Sequence, residues 1–279
     1  MARRFEGKTA VVTGAGRPGG LGEAIVRKLA AEGCSVVLSD IGRSADAATP
    51  DSMIGNQFQM QALAAEIARS TGSRVESFAC DVRKYEQVRS LAEFAEKTFG
   101  SLDIWVNNAG IGYIMKPLAE MQPDEWQAVI DVNLTGCFYG IKVASERMIA
   151  RGRGGRIVNI ASQAAKSGFP YAAAYCASKH GLVGLVRSVA IELGRYGITV
   201  NNVCPNHVTT GLGAWQNDYF SKKLGLSLDQ YLEQMKSRIP LGRCGLPEDT
   251  ANAVAFLCSD EAAYITAESM NVSGGEEPH

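Results

Sequence analysis

Apolar residues fall along this chain in short blocks separated by amphipathic segments. Lys8–Thr13 is a β-branched run, and in Glu23–Glu32 the apolar Ile25, Val26 and Leu29 share one helical face. The same rhythm predicts strands at Ser35–Ser39, Val75–Ala79, Ile104–Val106, Arg156–Ile160, Thr199–Cys204 and Ser269–Val272. It predicts helices at Gln57–Ser70, Tyr85–Phe99, Glu125–Ala150, Ala174–Tyr196 and Thr250–Leu257. Strands alternating with helices build right-handed βαβ units and a parallel sheet. The strands lack a clean two-residue alternation, as expected when helices cover both faces of the sheet. The expected architecture is α/β: a doubly wound, Rossmann-type parallel sheet in three αβα layers, as one domain over residues 1–279. Ligands of such sheets sit at the carboxyl ends of the strands, so the residues just after each strand are where chemistry is sought. Two stretches exceed what the alternation needs. One is an insertion at about 41–60; the other is the polar and aromatic stretch Gly211–Pro240, which reads as a long loop and substrate lid.

Composition narrows the function classes. Of 279 residues, 46% are hydrophobic and 20% charged, with 28 basic against 29 acidic. That is ordinary for a soluble globular protein and excludes a disordered chain. A net charge of −1 offers no bulk attraction to nucleic acid or an anionic membrane. The arginine–glycine run Arg151–Arg156 joins a helix to a strand and reads as a solvated turn, so no nucleic-acid partner is expected. The opening residues lack a signal-peptide core, and no run reaches the ~18–20 apolar residues of a membrane helix. The seven cysteines are scattered without a C-x-x-C, which suits reduced, buried thiols and a cytoplasmic location. His180, His207 and His279 are not paired at ligand spacing, so no metal is expected.

The first strand runs into T-G-A-G-R-P-G-G-L-G at Thr13–Gly22. A glycine-rich turn between strand and helix lets backbone N–H groups approach a pyrophosphate, helped by the positive end of the helix dipole. Gly14, Gly16, Gly20, Leu21 and Gly22 are the cofactor-binding candidates there. Asp40 closes the second strand 18 residues after Gly22, with Ile41 beside it. A carboxylate in that place accepts from both ribose hydroxyls of NAD and repels the 2′-phosphate of NADP. NAD is the expected cofactor, although Arg17 and Arg43 argue weakly for a phosphate.

Tyr175 and Lys179 lie four apart on a predicted helix and share a face. Ser162 directly follows the fifth strand, and Asn133 lies within the long helix before it. An unperturbed tyrosine, with a pKa near 10, is too weak an acid to serve as a base at neutral pH. A nearby ammonium and a cationic cofactor both favour its phenolate. Taken alone, a tyrosine and a lysine at this spacing are as readily an exposed surface pair.

Together these residues resemble the short-chain dehydrogenase/reductase family, with similarity from Gly7 to Gly275. The motifs occur in family order: the glycine turn, C-D-V at Cys80–Val82, N-N-A-G at Asn107–Gly110, V-N-L-T-G at Val132–Gly136, N-I-A-S at Asn159–Ser162 and Y-C-A-S-K at Tyr175–Lys179. C-P-N-H-V-T-T at Cys204–Thr210 is similar to the family's P-G-x-V-x-T, and N-V-S-G-G ends the fold. Ser162 and Tyr175 stand thirteen apart, the usual family separation. The resemblance implies hydride transfer between a secondary alcohol or its ketone and the nicotinamide. Tyr175 would be the acid/base, Lys179 would tune it and hold the ribose, Ser162 would orient the substrate oxygen, and Asn133 would hold a relay water. Asp81 and Val82 would meet the adenine. Asn108, Ala109 and Gly110 would pack along the cofactor, and Val208 and Thr210 would contact the carboxamide. The family commonly forms dimers or tetramers through its two long helices, so a homo-oligomer, a tetramer or dimer, is implied.

The chain departs from the family pattern at three places. Five residues separate Gly14 from Gly20 where the family usually has three. Asn206 replaces the glycine after Pro205, a substitution that suits a left-handed backbone. The segment after Asp40 is lengthened, which in some relatives accompanies a retained NAD. For substrate, Gln163, His207 and Trp215 are the candidates, His207 being equally readable as structural. The lid mixes amides, charges and aromatics, which leans towards a polyol or sugar-like alcohol. Open alternatives are an NADPH-dependent ketone reductase, an enzyme with retained NAD acting on apolar cyclic alcohols, and a non-catalytic dinucleotide sensor.

Overall fold

The computed structural model describes residues 3–42, 54–209 and 211–277. Among them seven strands form one parallel sheet: β1 (Thr9–Thr13), β2 (Ser35–Asp40), β3 (Val75–Ala79), β4 (Ile104–Asn107), β5 (Gly155–Ile160), β6 (Ile198–Pro205) and β7 (Ser269–Val272). The spatial order is β3-β2-β1-β4-β5-β6-β7. Every pairing is parallel. Chain direction across the sheet reverses between β1 and β4, which opens a crevice at their carboxyl ends.

Successive strand residues point to opposite faces, and the helices divide accordingly. Val12, Val36, Val106 and Val158 pack under α1 (Leu21–Ala31), α2 (Gln57–Thr71) and α9 (Pro247–Cys258). Their neighbours Val11, Val37, Trp105 and Ile157 pack under α3 (Tyr85–Phe99), α5 (Gly136–Arg151) and α6 (Ala173–Leu193). Both faces are therefore dry, which explains why the strands carry no polar alternation. Local chemistry sets the helix ends. Asn56 caps α2 by accepting from Gln59 N–H at 2.9 Å, and Gly72 closes it with a left-handed backbone.

Buried polar groups are joined rather than scattered. Trp105 Nε1 donates to Asn107 Oδ1 at 2.7 Å, Asn107 Nδ2 to Asn159 Oδ1 at 2.8 Å, and Asn159 Nδ2 to Asn202 Oδ1 at 3.1 Å. Asn202 Nδ2 then reaches Ser269 Oγ at 3.0 Å. This amide chain crosses β4, β5, β6 and β7 and fixes their register just below the crevice.

Three sequence expectations need correction. The helix expected over Glu125–Ala150 is interrupted: α4 (Pro123–Ile130) passes through a π-turn at Asp131–Thr135 before α5 begins. Such bulges insert one residue and are common at functional sites; periodicity does not register them. The Gly211–Pro240 stretch is not a loop but two helices, α7 (Leu212–Lys223) and α8 (Leu228–Arg238). Ser227 and Gln230 form a reciprocal capping box at the start of α8. Lastly, the left-handed residue near Pro205 is His207 (φ 43°), not Asn206. Of the insertion, residues 43–53 lie outside the described residues; Gly42 and Asn56 form a bridge at its base.

Candidate active site

The β1–α1 turn is shaped by contacts that exclude side chains. Gly14 (φ 63°) lies so close to the β4 loop that a Cβ would stand 2.5 Å from Ala109 Cα. A Cβ on Gly22 would stand 2.5 Å from Gly14 O. Asn108 ties the two loops, its Nδ2 donating to Thr13 O at 2.9 Å and Gly14 O at 2.8 Å. Thr13 Oγ1 in turn accepts from Asn108 N and Ala109 N.

A cavity of about 730 Å³ lies along these carboxyl ends. Gly14, Gly20, Leu21 and Gly22 line it from the glycine turn, and Asp40 and Ile41 from the end of β2. Asp81 and Val82 follow β3, and Asn108, Ala109 and Gly110 follow β4. Ser162, Gln163, Tyr175, Lys179, His207 and Val208 complete the opposite end. Gly16 sits behind Asp40, outside the lining, and donates its N–H to Asp40 Oδ2 at 3.0 Å. Thr210 and Arg43 lie outside the described residues.

Burial raises the pKa of Asp40, while N–H groups of Ile41, Gly16 and Gly55 and the charge of Arg17 work against the rise. Arg17 lines the same cavity, its own pKa lowered by burial and lifted by Asp40. Asp81 is held by two Arg83 hydrogen bonds at 2.9 and 2.7 Å. Burial pushes its carboxyl up, but those bonds win and its pKa is lowered.

At the chemical end, burial pushes the Tyr175 phenol up to about 12, against a hydrogen bond from Ser162 that lowers it. Lys179 lies one turn further along α6. Its Nζ stands 5.7 Å from the Tyr175 ring centre and donates to Ile160 O at 2.7 Å, and burial lowers its pKa. Ser162 Oγ also accepts from Ala164 N–H at 3.1 Å, which anchors it to the turn after β5. Asn133, fully buried in the π-turn, grips Ile111: its Oδ1 accepts from the N–H and its Nδ2 donates to the C=O, both at 2.8 Å. The Asn133 amide also donates to Ser178 Oγ at 3.1 Å, so both of its donor positions are taken.

Helix α7 closes over this end. Gln216 Nε2 donates to Gly112 O at 3.4 Å, and Leu212 packs with Tyr175. Trp215 stacks on Tyr219 at 5.4 Å and meets Tyr113 edge-on at 6.4 Å, and it does not line the cavity. Sequence reasoning missed the wall formed by Tyr231 and Arg238 of α8 and by the chain's tail. Glu277 Oε1 accepts from Gln163 Nε2 at 2.7 Å across 114 residues, a separation no local pattern reveals. The only available signal was the tandem Glu276–Glu277 after the final strand. No group of three or more metal-ligating side chains is gathered among the described residues. No described helix is long and apolar enough to cross a membrane.

Comparison with known proteins agrees with this geometry. A family model described as Enoyl-(Acyl carrier protein) reductase matches residues 14–277. The 3-oxoacyl-[acyl-carrier-protein] reductase of Staphylococcus aureus is 39% identical over 270 residues, covering 96% of this chain and 97% of that one. The chain belongs to the short-chain dehydrogenase/reductase family. Another relative is the galactitol 2-dehydrogenase of Agrobacterium fabrum, 33% identical with 98% of each chain covered. Among solved structures, carveol dehydrogenase from Mycobacterium avium in complex with NAD superposes with a TM-score of 0.88 at 31% identity, covering 98% of each chain. The actinorhodin polyketide ketoreductase with NADPH gives 0.86 at 34% identity, covering both chains completely. This short-chain dehydrogenase/reductase is thus an oxidoreductase acting on alcohols or ketones with a nicotinamide dinucleotide.

Proposed function

We propose that the chain interconverts a secondary alcohol and its ketone with NAD(H), and that its substrate is a polyol or sugar-like alcohol. The carboxylate of Asp40, at the end of β2 in the cavity wall, carries the cofactor reading. A 2′-phosphate there would meet a buried negative group at short range. Arg17 in the same wall favours NADPH as the second reading. Titration with NADH and NADPH decides between them: tighter NADPH binding overturns the first.

The residues present fit the dinucleotide. Gly14, Gly20 and Gly22 line the cavity with main chain, the packing at Gly14 and Gly22 being too close for a side chain, and Asp81 and Val82 face the cavity where the adenine would lie. When bound, the nicotinamide supplies or accepts the hydride. Tyr175 gives its phenolic proton to a carbonyl oxygen in reduction and takes the hydroxyl proton in oxidation. Ser162, hydrogen-bonded to that phenol, orients the same oxygen. Lys179, one turn along α6 with its Nζ 5.7 Å from the Tyr175 ring centre, would favour the phenolate when oxidation requires it. Asn133 holds Ile111 in place with both donors taken, so a relay water would meet its Oδ1 or the main chain of its π-turn.

Gln163, His207, Gln216 and Asn217 give the substrate end polar partners for hydroxyl groups, and the galactitol relative supports that lean. A panel of polyols, sugars and apolar cyclic alcohols tests it; preference for the apolar alcohols overturns it. Free thiols at all seven cysteines suit a cytoplasmic location. Exposed Phe138 and Ile149 on α5, with Ile191 on α6, support a homo-oligomer through those helices. A light-scattering mass near 29.8 kDa would contradict it.

A further inference from the structure

The tail after β7 folds back over the carboxyl ends of β5 and β6. Asn271 Nδ2 donates to Glu277 O at 2.6 Å and so shapes the return. Glu277 then holds Gln163, while Glu276 holds two neighbours at once. Its Oε2 accepts from Asn206 Nδ2 at 2.6 Å and lies 3.1 Å from His207 Nε2. Both Glu276 and His207 line the cavity, with side chains only 15% and 20% exposed. His207 also carries a left-handed backbone, an unfavourable state for a side-chain-bearing residue that persists only where neighbours enforce it. The Gly245 N–H donates to His207 O and the Asn206 N–H to Val272 O, both at 3.2 Å, which holds that turn, and the Asn206 side chain ties it to Glu276.

The pair has a definite chemistry. With Nε2 facing a carboxylate, the ring proton sits on Nε2, and neutral imidazole leaves Nδ1 as an acceptor. Burial lowers the pKa of His207; the charge and hydrogen bond of Glu276 raise it and Arg238 lowers it further, the balance being downward. The ring is therefore neutral near pH 7. No protein group among the described residues hydrogen-bonds Nδ1.

We propose that Glu276 and Asn206 hold His207 as a second recognition group, whose Nδ1 accepts a hydrogen bond from a substrate hydroxyl other than the reacting one. The assignment rests on the polyol reading above. Glu276 is then a positioning residue, acting on the substrate through His207 and reached only because the tail folds back. A histidine that merely packs would have no stake in the number of hydroxyls a substrate carries.

The test compares butane-2,3-diol with butan-2-ol as substrates of the wild type, His207→Phe and Glu276→Gln. Folding is checked by thermal melting and NADH binding. The wild type is expected to prefer the diol. His207→Phe should lower the diol-to-butanol ratio of kcat/KM by about 10–100-fold, since a site built to bond a hydroxyl discriminates through it. Glu276→Gln should lower it by a smaller factor. In ¹⁵N NMR, His207 should appear as the Nε2–H tautomer in the wild type, and that preference should weaken in Glu276→Gln. A diol preference that survives His207→Phe overturns this proposal alone, as does an Nδ1–H tautomer in the wild type. A wild type that prefers butan-2-ol overturns the polyol reading and this proposal with it.

Discussion

The two ends of the cavity are built on different principles. The nucleotide end is a backbone site: a left-handed Gly14, a Gly22 against Gly14 O, and main-chain N–H groups holding Asp40. Gly14 and Gly22 leave no room for an added atom, and the turn is tied by main-chain and amide contacts to the loop after β4. The substrate end is a side-chain site assembled from α6, α7, α8 and the tail, with contacts spanning up to 114 residues. One half conserves a cofactor geometry through steric exclusion; the other takes its character from exchangeable groups. Substitutions at the first end should abolish or switch cofactor use, while those at the second should grade substrate preference.

The largest expected effect lies where the two ends meet. Tyr175→Phe removes the proton donor and acceptor while keeping the ring, and should lower kcat by about 10²–10⁴-fold with NADH binding retained. Measured turnover near the wild-type level would overturn the mechanism. The same phenol sets the pH profile. Burial lifts it to about 12, so it is protonated at neutral pH. Ketone reduction uses the protonated form and should stay level through neutral pH. Alcohol oxidation needs the phenolate, and its kcat/KM should climb with pH, by up to about tenfold per unit below that pKa. A falling oxidation rate between pH 6 and 9 would contradict the assignment.

Next comes Asp40. Asp40→Asn keeps the size and removes the charge that meets the ribose. The preference for NADH over NADPH should narrow by about 10–100-fold, equivalent to about 1.4–2.8 kcal/mol. The ratio of Kd values for the two cofactors measures it, and an unchanged ratio shifts the discrimination to another group, with Arg17 the first to test.

Gly14→Ala probes the steric side of the comparison. The added methyl would press on the Ala109 main chain, at a backbone angle that favours glycine. Stability should fall by about 1–3 kcal/mol, read from denaturant midpoints at constant slope. Cofactor affinity should fall with it, since Asn108 reads the same turn.

The contrast also explains what was legible beforehand. The sheet could be read because its central strands are buried on both faces and carry short apolar, β-branched runs between helical patterns. The glycine turn, Asp40, Ser162, Tyr175 and Lys179 could be read because they follow strands or share a helix face, which are local relations. The π-turn at Asn133 could not, because one inserted residue leaves the helical period almost unaltered. Helix α7 was hidden because it is only weakly amphipathic, its inward side carrying Gln216 and Asn217 towards the cavity; α8, with its Ser227–Gln230 capping box and its buried Tyr231 and Met235, was legible and was passed over as part of the same polar stretch. The Glu276–His207 contact was hidden by distance along the chain, and the left-handed residue was placed one position early because glycine replacement pointed to Asn206 rather than to its neighbour.

The smallest expected effect separates two roles for Trp215. The indole lies outside the cavity lining, stacked on Tyr219 and edge-on to Tyr113, so it joins α7 to the loop after β4. Each such aromatic pair contributes about 0.5–1.5 kcal/mol. If Trp215 only docks the lid, Trp215→Ala should raise KM by about 2–10-fold for every substrate alike, with kcat nearly unchanged. Trp215→Phe, which restores a ring to the stack, should recover most of that loss. A direct substrate contact predicts otherwise: the KM increase would depend on substrate size, and phenylalanine would rescue some substrates and not others. Uniform loss with uniform rescue would make Trp215 part of the packing that docks α7, and would leave substrate recognition to the polar wall of Gln163, His207 and Gln216.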